Sequence, residues 1–148
     1  MTLQEQLSQD IKAAMLAKDA DRLSTLRLLK SAIGYLLIER KVEILADTDF
    51  IAMVQKEVKK RRDSIEQYEK GGRPELAARE KQEITVLETF LPKALNPAEL
   101  EEMVKSAIQE SAATSKKQMG AVIKLVQAKV AGRAEGKAIS EIAGRLLP

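Results

Sequence analysis

Gly71-Gly72-Arg73-Pro74 separates two apolar stripes of helical period. Upstream, Ile51, Val54, Val58, Ile65 and Tyr68 recur at steps that place them on one helix face. The glycine pair suits the end of that helix, because glycine takes the left-handed conformation without a Cβ clash. Pro74 suits the first position of a following helix, where a missing N–H costs nothing. Glu75 then lies in the first turn, favourable to the helix dipole. Leu76, Ile84, Leu87 and Leu91 give the second helix its own stripe. Two striped helices with so short a connection predict an antiparallel helical hairpin, and Pro92 ends it.

The first arm carries five cations in seven residues: Lys56, Lys59, Lys60, Arg61 and Arg62. At 100° per residue, Lys56 and Lys60 fall opposite the apolar stripe. Arg61 falls on its edge, which predicts that its stem lies along apolar surface. Glu57 precedes Arg61 by four, and Lys59 and Arg62 are followed at the same spacing by Asp63 and Glu66. Such laced pairs describe a solvated helix face. The alternative is that Lys56 and Lys60 contact RNA phosphates.

The rest of the chain also reads as helices. Thr2 and Glu5 form a capping box that opens a helix with Leu3, Leu7, Ile11 and Met15 on one face, ending near Lys18. Asp21 is the expected N-cap of a second helix, which carries Leu26, Leu29, Ile33, Leu36 and Leu37 to about Val42. Gly34 inside it marks a candidate close crossing, and Asp47 or Thr48 caps the third helix. Asn96, Pro97 and Glu99 form a complete helix start for Leu100, Met103, Val104, Ala107 and Ile108. Ser115 and Gln118 open another helix with Met119, Val122, Ile123 and Val126. Residues 132–136 read as a loop before a last helix bearing Ile139, Ile142 and Leu146.

These elements predict an all-α protein: an N-terminal bundle of about four helices over residues 1–95 and a small C-terminal three-helix domain over residues 96–148. Aromatics make up only 3% of the chain, so the core must come from Leu, Ile, Val and Ala. Net charge is +3, compatible with RNA without requiring it, and DNA is not expected. From residue 110 onward seven cations face three carboxylates, so the basic surplus sits at the C-terminal end. The polar start and the lack of a long apolar run predict no membrane association and a cytoplasmic location.

Histidine and cysteine are both absent. That excludes Ser–His and Cys–His nucleophilic catalysis and every imidazole or thiolate metal site, and no cofactor is expected. The serines fall on helices, at caps or in short polar connections, not on the Gly-rich loop a Ser–Lys amidase needs. Gly132 to Lys137 spells G-x-x-x-G-K followed by Ala, with no preceding strand, so it is not a phosphate loop. Gly136 nonetheless opens a helix with Arg133 and Lys137 beside it. This is an anion-friendly arrangement, with an ordinary helix–helix turn as its alternative.

KKRRDSIEQYEKGGRPELAAREKQEITVLETFLPKAL at residues 59–95, KKQMGAVIKLV at 116–126 and GRAEGKAISEIAGRLL at 132–147 resemble the YqeY family. That family is similar to the C-terminal tail of the B subunit of glutamine-dependent aspartyl/glutamyl-tRNA amidotransferase. In that enzyme an amidase subunit makes ammonia, the cradle of the B subunit activates the tRNA-borne carboxylate, and the tail helps hold tRNA. The resemblance therefore implies RNA engagement, or work within a tRNA-handling protein complex, without a complete carbon–nitrogen ligase that uses glutamine as amido donor. The expected contacts are Lys116, Lys117, Lys124, Arg133 and Lys137, extended by Lys56 and Lys60. The competing expectation is a protein-interaction adaptor that binds no RNA.

Overall fold

A computed structural model describes residues 1–130 and 133–148. Among the described residues there are seven α-helices and no strand: α1 (Leu3–Leu16), α2 (Ala20–Arg40), α3 (Asp47–Lys70), α4 (Pro74–Glu88), α5 (Pro97–Ser111), α6 (Met119–Val130) and α7 (Gly136–Leu146). The all-α expectation holds. Gly132, read from sequence as the start of a loop, lies outside the described residues.

The chain divides into two compact units, Met1–Leu91 and Pro92–Pro148. In the first, α3 and α4 form the antiparallel hairpin, and α1 and α2 pack on it. The hairpin turn follows from its glycines. Gly72 has φ +71°. Its N–H donates to Glu69 O at 3.3 Å and the Arg73 N–H donates to Tyr68 O at 2.8 Å, satisfying carbonyls the helix leaves open. Pro74 is the first residue of α4.

The core of this unit joins Leu7 and Ala14 of α1, Leu26, Leu29 and Ile33 of α2, Phe50, Val54 and Val58 of α3, and Ile84, Val86 and Leu87 of α4. Phe90 follows α4 and meets Phe50 at a ring-centroid distance of 5.6 Å. Met15, expected in the α1 stripe, is exposed, and the small Ala14 is buried instead. Apolar side chains on α2 occupy two opposite sides. Leu26, Leu29 and Ile33 face the core, while Leu28, Tyr35 and Ile38 are 54%, 76% and 77% exposed.

Several helix starts differ from expectation. Asp19, not Asp21, caps α2, accepting from the Arg22 N–H at 3.2 Å. The preceding Lys18 turns the chain at φ 56° and fixes where the new helix begins. Helix α2 stops at Arg40, short of Val42, with Lys41 left-handed. Helix α3 begins at Asp47 with no side-chain cap. The Asp47 carboxylate instead accepts the Leu3 N–H of α1 at 3.0 Å. Gln4 completes that tie, donating to Glu43 O and accepting the buried Leu45 N–H. Gly34 marks no close crossing, because a Cβ built there would meet nothing within 4 Å.

The second unit packs α5, α6 and α7 around Leu100, Val104, Ala107, Val122, Val126, Ile139 and Ala143. Asn96 caps α5 as expected, accepting the Glu99 N–H at 2.8 Å. Ser115 opens a short 3-10 turn, Lys116–Gln118, rather than an α-helix, and α6 follows it. Leu95, read as the end of the first domain, packs against this second core. Its N–H donates to Arg133 O at 2.9 Å, and Arg133 Nε donates to Lys93 O at 3.0 Å. Those two bonds, absent from any local pattern, tie residues 93–95 to the approach to α7.

Candidate nucleic-acid interface

Five of the seven expected cations lie in the second unit and two in the first. Lys116 and Lys117 occupy the 3-10 turn, held because the Lys116 N–H donates to Pro148 O at 3.2 Å. The Thr114 and Ser115 N–H groups both donate to Gln118 Oε1 and shape the same turn. Lys124 lies on α6 on the side away from Val122 and Val126. Lys137 is in the first turn of α7, away from Ile139. All four lysines are exposed. No carboxylate among the described residues ion-pairs with them, whereas neighbouring Lys129 and Arg145 are held by Glu110 and Glu101. Exposed, unpaired lysines on short helices can meet phosphates as mobile point charges.

Arg133 stands apart from that set. Its Nε is used by the Lys93 carbonyl, and the exposed guanidinium is fixed by that bond. Helix α7 starts at Gly136 with no side-chain cap, and Glu135 stands at the cap position. A carboxylate therefore sits between Arg133 and Lys137, and a Cβ at Gly136 would lie 3.5 Å from Gln127 Nε2. The flanking cations are where the sequence puts them, but the helix start between them is neither purely basic nor empty.

On α3, Lys56 and Lys60 are exposed one turn apart. Lys60 Nζ lies 3.8 Å from Glu57 Oε1, which weakens the field it offers. Arg61 departs further from the simple solvated face. Its side chain is only 11% exposed and meets three carboxylates. Nη1 donates to Glu57 at 3.0 Å, Nε donates to Glu83 at 2.9 Å, and Glu80 lies 3.9 Å from Nε. Burial works against the Arg61 charge, but hydrogen bonds to Glu57 and Glu83 outweigh it and raise its proton affinity. Burial, followed by the Glu83 carboxylate, pushes the Glu80 carboxyl above its ordinary value. The Glu57 spacing was readable from sequence. Glu80 and Glu83 were not, because they arrive across the hairpin.

Among the described residues no group of three or more acidic side chains is placed to hold a metal ion. None of the described helices is long and apolar enough to cross a membrane.

Comparison with known proteins places the chain. It is 30% identical over 146 residues to "Altered inheritance of mitochondria protein 41, mitochondrial" of Pyrenophora tritici-repentis, covering 93% of this chain and 79% of that one. The protein of the same name in Vanderwaltozyma polyspora is 31% identical over 106 residues, 70% of this chain and 57% of its own length. That of Kluyveromyces lactis is 36% identical over 103 residues, 70% and 55%. The chain thus spans little more than half the length of these two yeast relatives. Residues 4–147 match the family described as Yqey-like protein, so the resemblance of the hairpin and C-terminal motifs holds, and the chain belongs to the YqeY family.

Proposed function

We propose that this protein is a tRNA-binding accessory factor of the aqueous cytoplasm, working with a tRNA-handling complex rather than catalysing amide transfer itself. The observation that carries the reading is the set of four exposed lysines in the second unit, Lys116, Lys117, Lys124 and Lys137, with no carboxylate partner among the described residues. Contacts of this kind go to phosphates and carry little sequence information. Each phosphate neutralised adds about 0.7–0.9 to the slope of log affinity against log salt. Arg133 is secondary, because its Nε already serves the Lys93 carbonyl. Lys56 and Lys60 extend the surface only weakly beside Glu57. The relatives' printed names refer to mitochondria, and a tRNA-handling role is compatible with either compartment.

The test is tRNA binding by wild type and by a variant with Lys116, Lys117, Lys124 and Lys137 all changed to Gln, across a salt series. The reading expects weaker binding and a shallower slope in the variant. Equal affinity with an unchanged slope overturns it.

A second reading, a protein-interaction adaptor, is favoured by the outer face of α2. Leu28, Tyr35 and Ile38 form an exposed apolar stripe there. Contiguous exposed apolar surface of this kind marks protein contacts, whereas phosphates call for cations. Changing Tyr35 and Ile38 to Ser would abolish partner capture under this reading and leave tRNA binding intact under the first.

A further inference from the structure

One guanidinium at the α3–α4 seam serves three carboxylates, and the geometry divides them unequally. Glu57 and Glu83 each accept a hydrogen bond from Arg61, at 3.0 and 2.9 Å. Glu80 lies 3.9 Å from Nε, beyond hydrogen-bond reach. The four side chains are 11% to 23% exposed, so water screens them poorly. Other charges face the group without cancelling it. From α3, Lys60 approaches Glu57 at 3.8 Å but is 66% exposed. On α4 itself, Arg79 approaches Glu83 at 4.0 Å and is 72% exposed. From α2, Asp21 lines a cavity of about 230 Å³ with Arg79 and Glu83, which adds another carboxylate.

We propose that Glu80 is a proton-binding latch of the α3–α4 hairpin: on mild acidification it takes a proton from solvent, and its new O–H donates to the neighbouring Glu83 carboxylate. The proton removes the surplus negative charge while Arg61 keeps both of its hydrogen bonds. Burial and the Glu83 charge favour the protonated form in the folded chain and outweigh the opposing charges of Arg61 and Arg79, in line with this division of partners. The sign follows. A carboxyl that binds its proton more tightly when folded stabilises the fold below its folded pKa. That contribution is lost as pH rises from the unfolded value through the folded one. The contribution of Glu80 to the first unit therefore grows as pH falls through its folded pKa, opposite in sign to that of an ordinary paired carboxylate.

Glu80→Gln supplies a neutral donor at every pH. In the full chain at pH 7, the variant is expected to melt about 2–5 °C above wild type. As pH falls through the folded Glu80 pKa, the gap in melting point between variant and wild type should narrow. Carbon-detected NMR of the wild-type Glu80 carboxyl supplies a second measurement, independent of the variant's folding. Its midpoint should lie above that of the same residue in the urea-unfolded chain. A Glu80 midpoint at or below the unfolded value overturns the proposal. So does a folded variant no more stable than wild type at pH 7 that keeps the wild-type pH profile. If the variant does not fold, the wild-type titration alone decides.

Discussion

Replacing Phe50 with Ala should separate the two halves of the molecule. Phe50 is fully buried at the start of α3, and Phe90, 3% exposed, packs on it just beyond α4, with the rings 5.6 Å apart and tilted by 52°. Truncating a buried phenylalanine costs about 3–5 kcal/mol, of which the aromatic pairing supplies ~0.5–1.5. For a unit of this size each kcal/mol moves the melting point by about 4–8 °C, so even the low end predicts a fall of about 12 °C. The cost falls on Met1–Leu91, because Phe50 belongs to that unit's core and Pro92–Pro148 has a core of its own. Differential scanning calorimetry of the full chain should show one transition displaced and the other unmoved. A single transition that moves as a whole would mean the two cores melt as one cooperative unit. A shift below about 4 °C would mean that Phe50 is not packed as described.

Three further outcomes are expected. Gly72→Ala should cost about 1 kcal/mol in chemical denaturation, because alanine must adopt a φ near +71° although there is room for its methyl. Arg133→Ala should speed trypsin cleavage after Lys93, since the bond from Arg133 Nε to Lys93 O is lost, and an unchanged rate would show that the tie does not restrain residues 93–95. Purified protein incubated with glutamine, ATP and misacylated tRNA should yield no amidated product above a buffer control, because the chain has no His or Cys and its serines do not sit on the Gly-rich loop that a Ser–Lys nucleophile needs.

Features with local causes were legible in the sequence. The Thr2–Glu5 box, the Gly72 turn, Pro74 and the Asn96 cap depend on residues within a few positions of one another, and each appears in the structure. Where two residues could do the same local job, the sequence reading favoured the one that the structure does not use. Asp19 and Asp21 are both good caps, and the left-handed Lys18 decides between them. Ala14 escaped notice because a methyl contributes little to an apolar stripe, yet it is buried in the core of the first unit. Long-range partnerships were out of reach. Asp47 with Leu3, Arg133 with Lys93, and Arg61 with Glu83 are 44, 40 and 22 residues apart. The candidate lysines were nameable because charge and exposure follow from the helix pattern. Arg133's engagement with the chain itself was not.

The most direct test of RNA binding by the second unit is residue-resolved. Titrate isotope-labelled protein, residues 1–148, with tRNA at low salt and follow the backbone amides by NMR. RNA binding by the second unit predicts shifts at Lys116, Lys117 and Lys124 and at the start of α7 around Lys137, fading as salt is raised. Shifts confined to the outer face of α2 around Leu28, Tyr35 and Ile38, or no shifts at all, would contradict it.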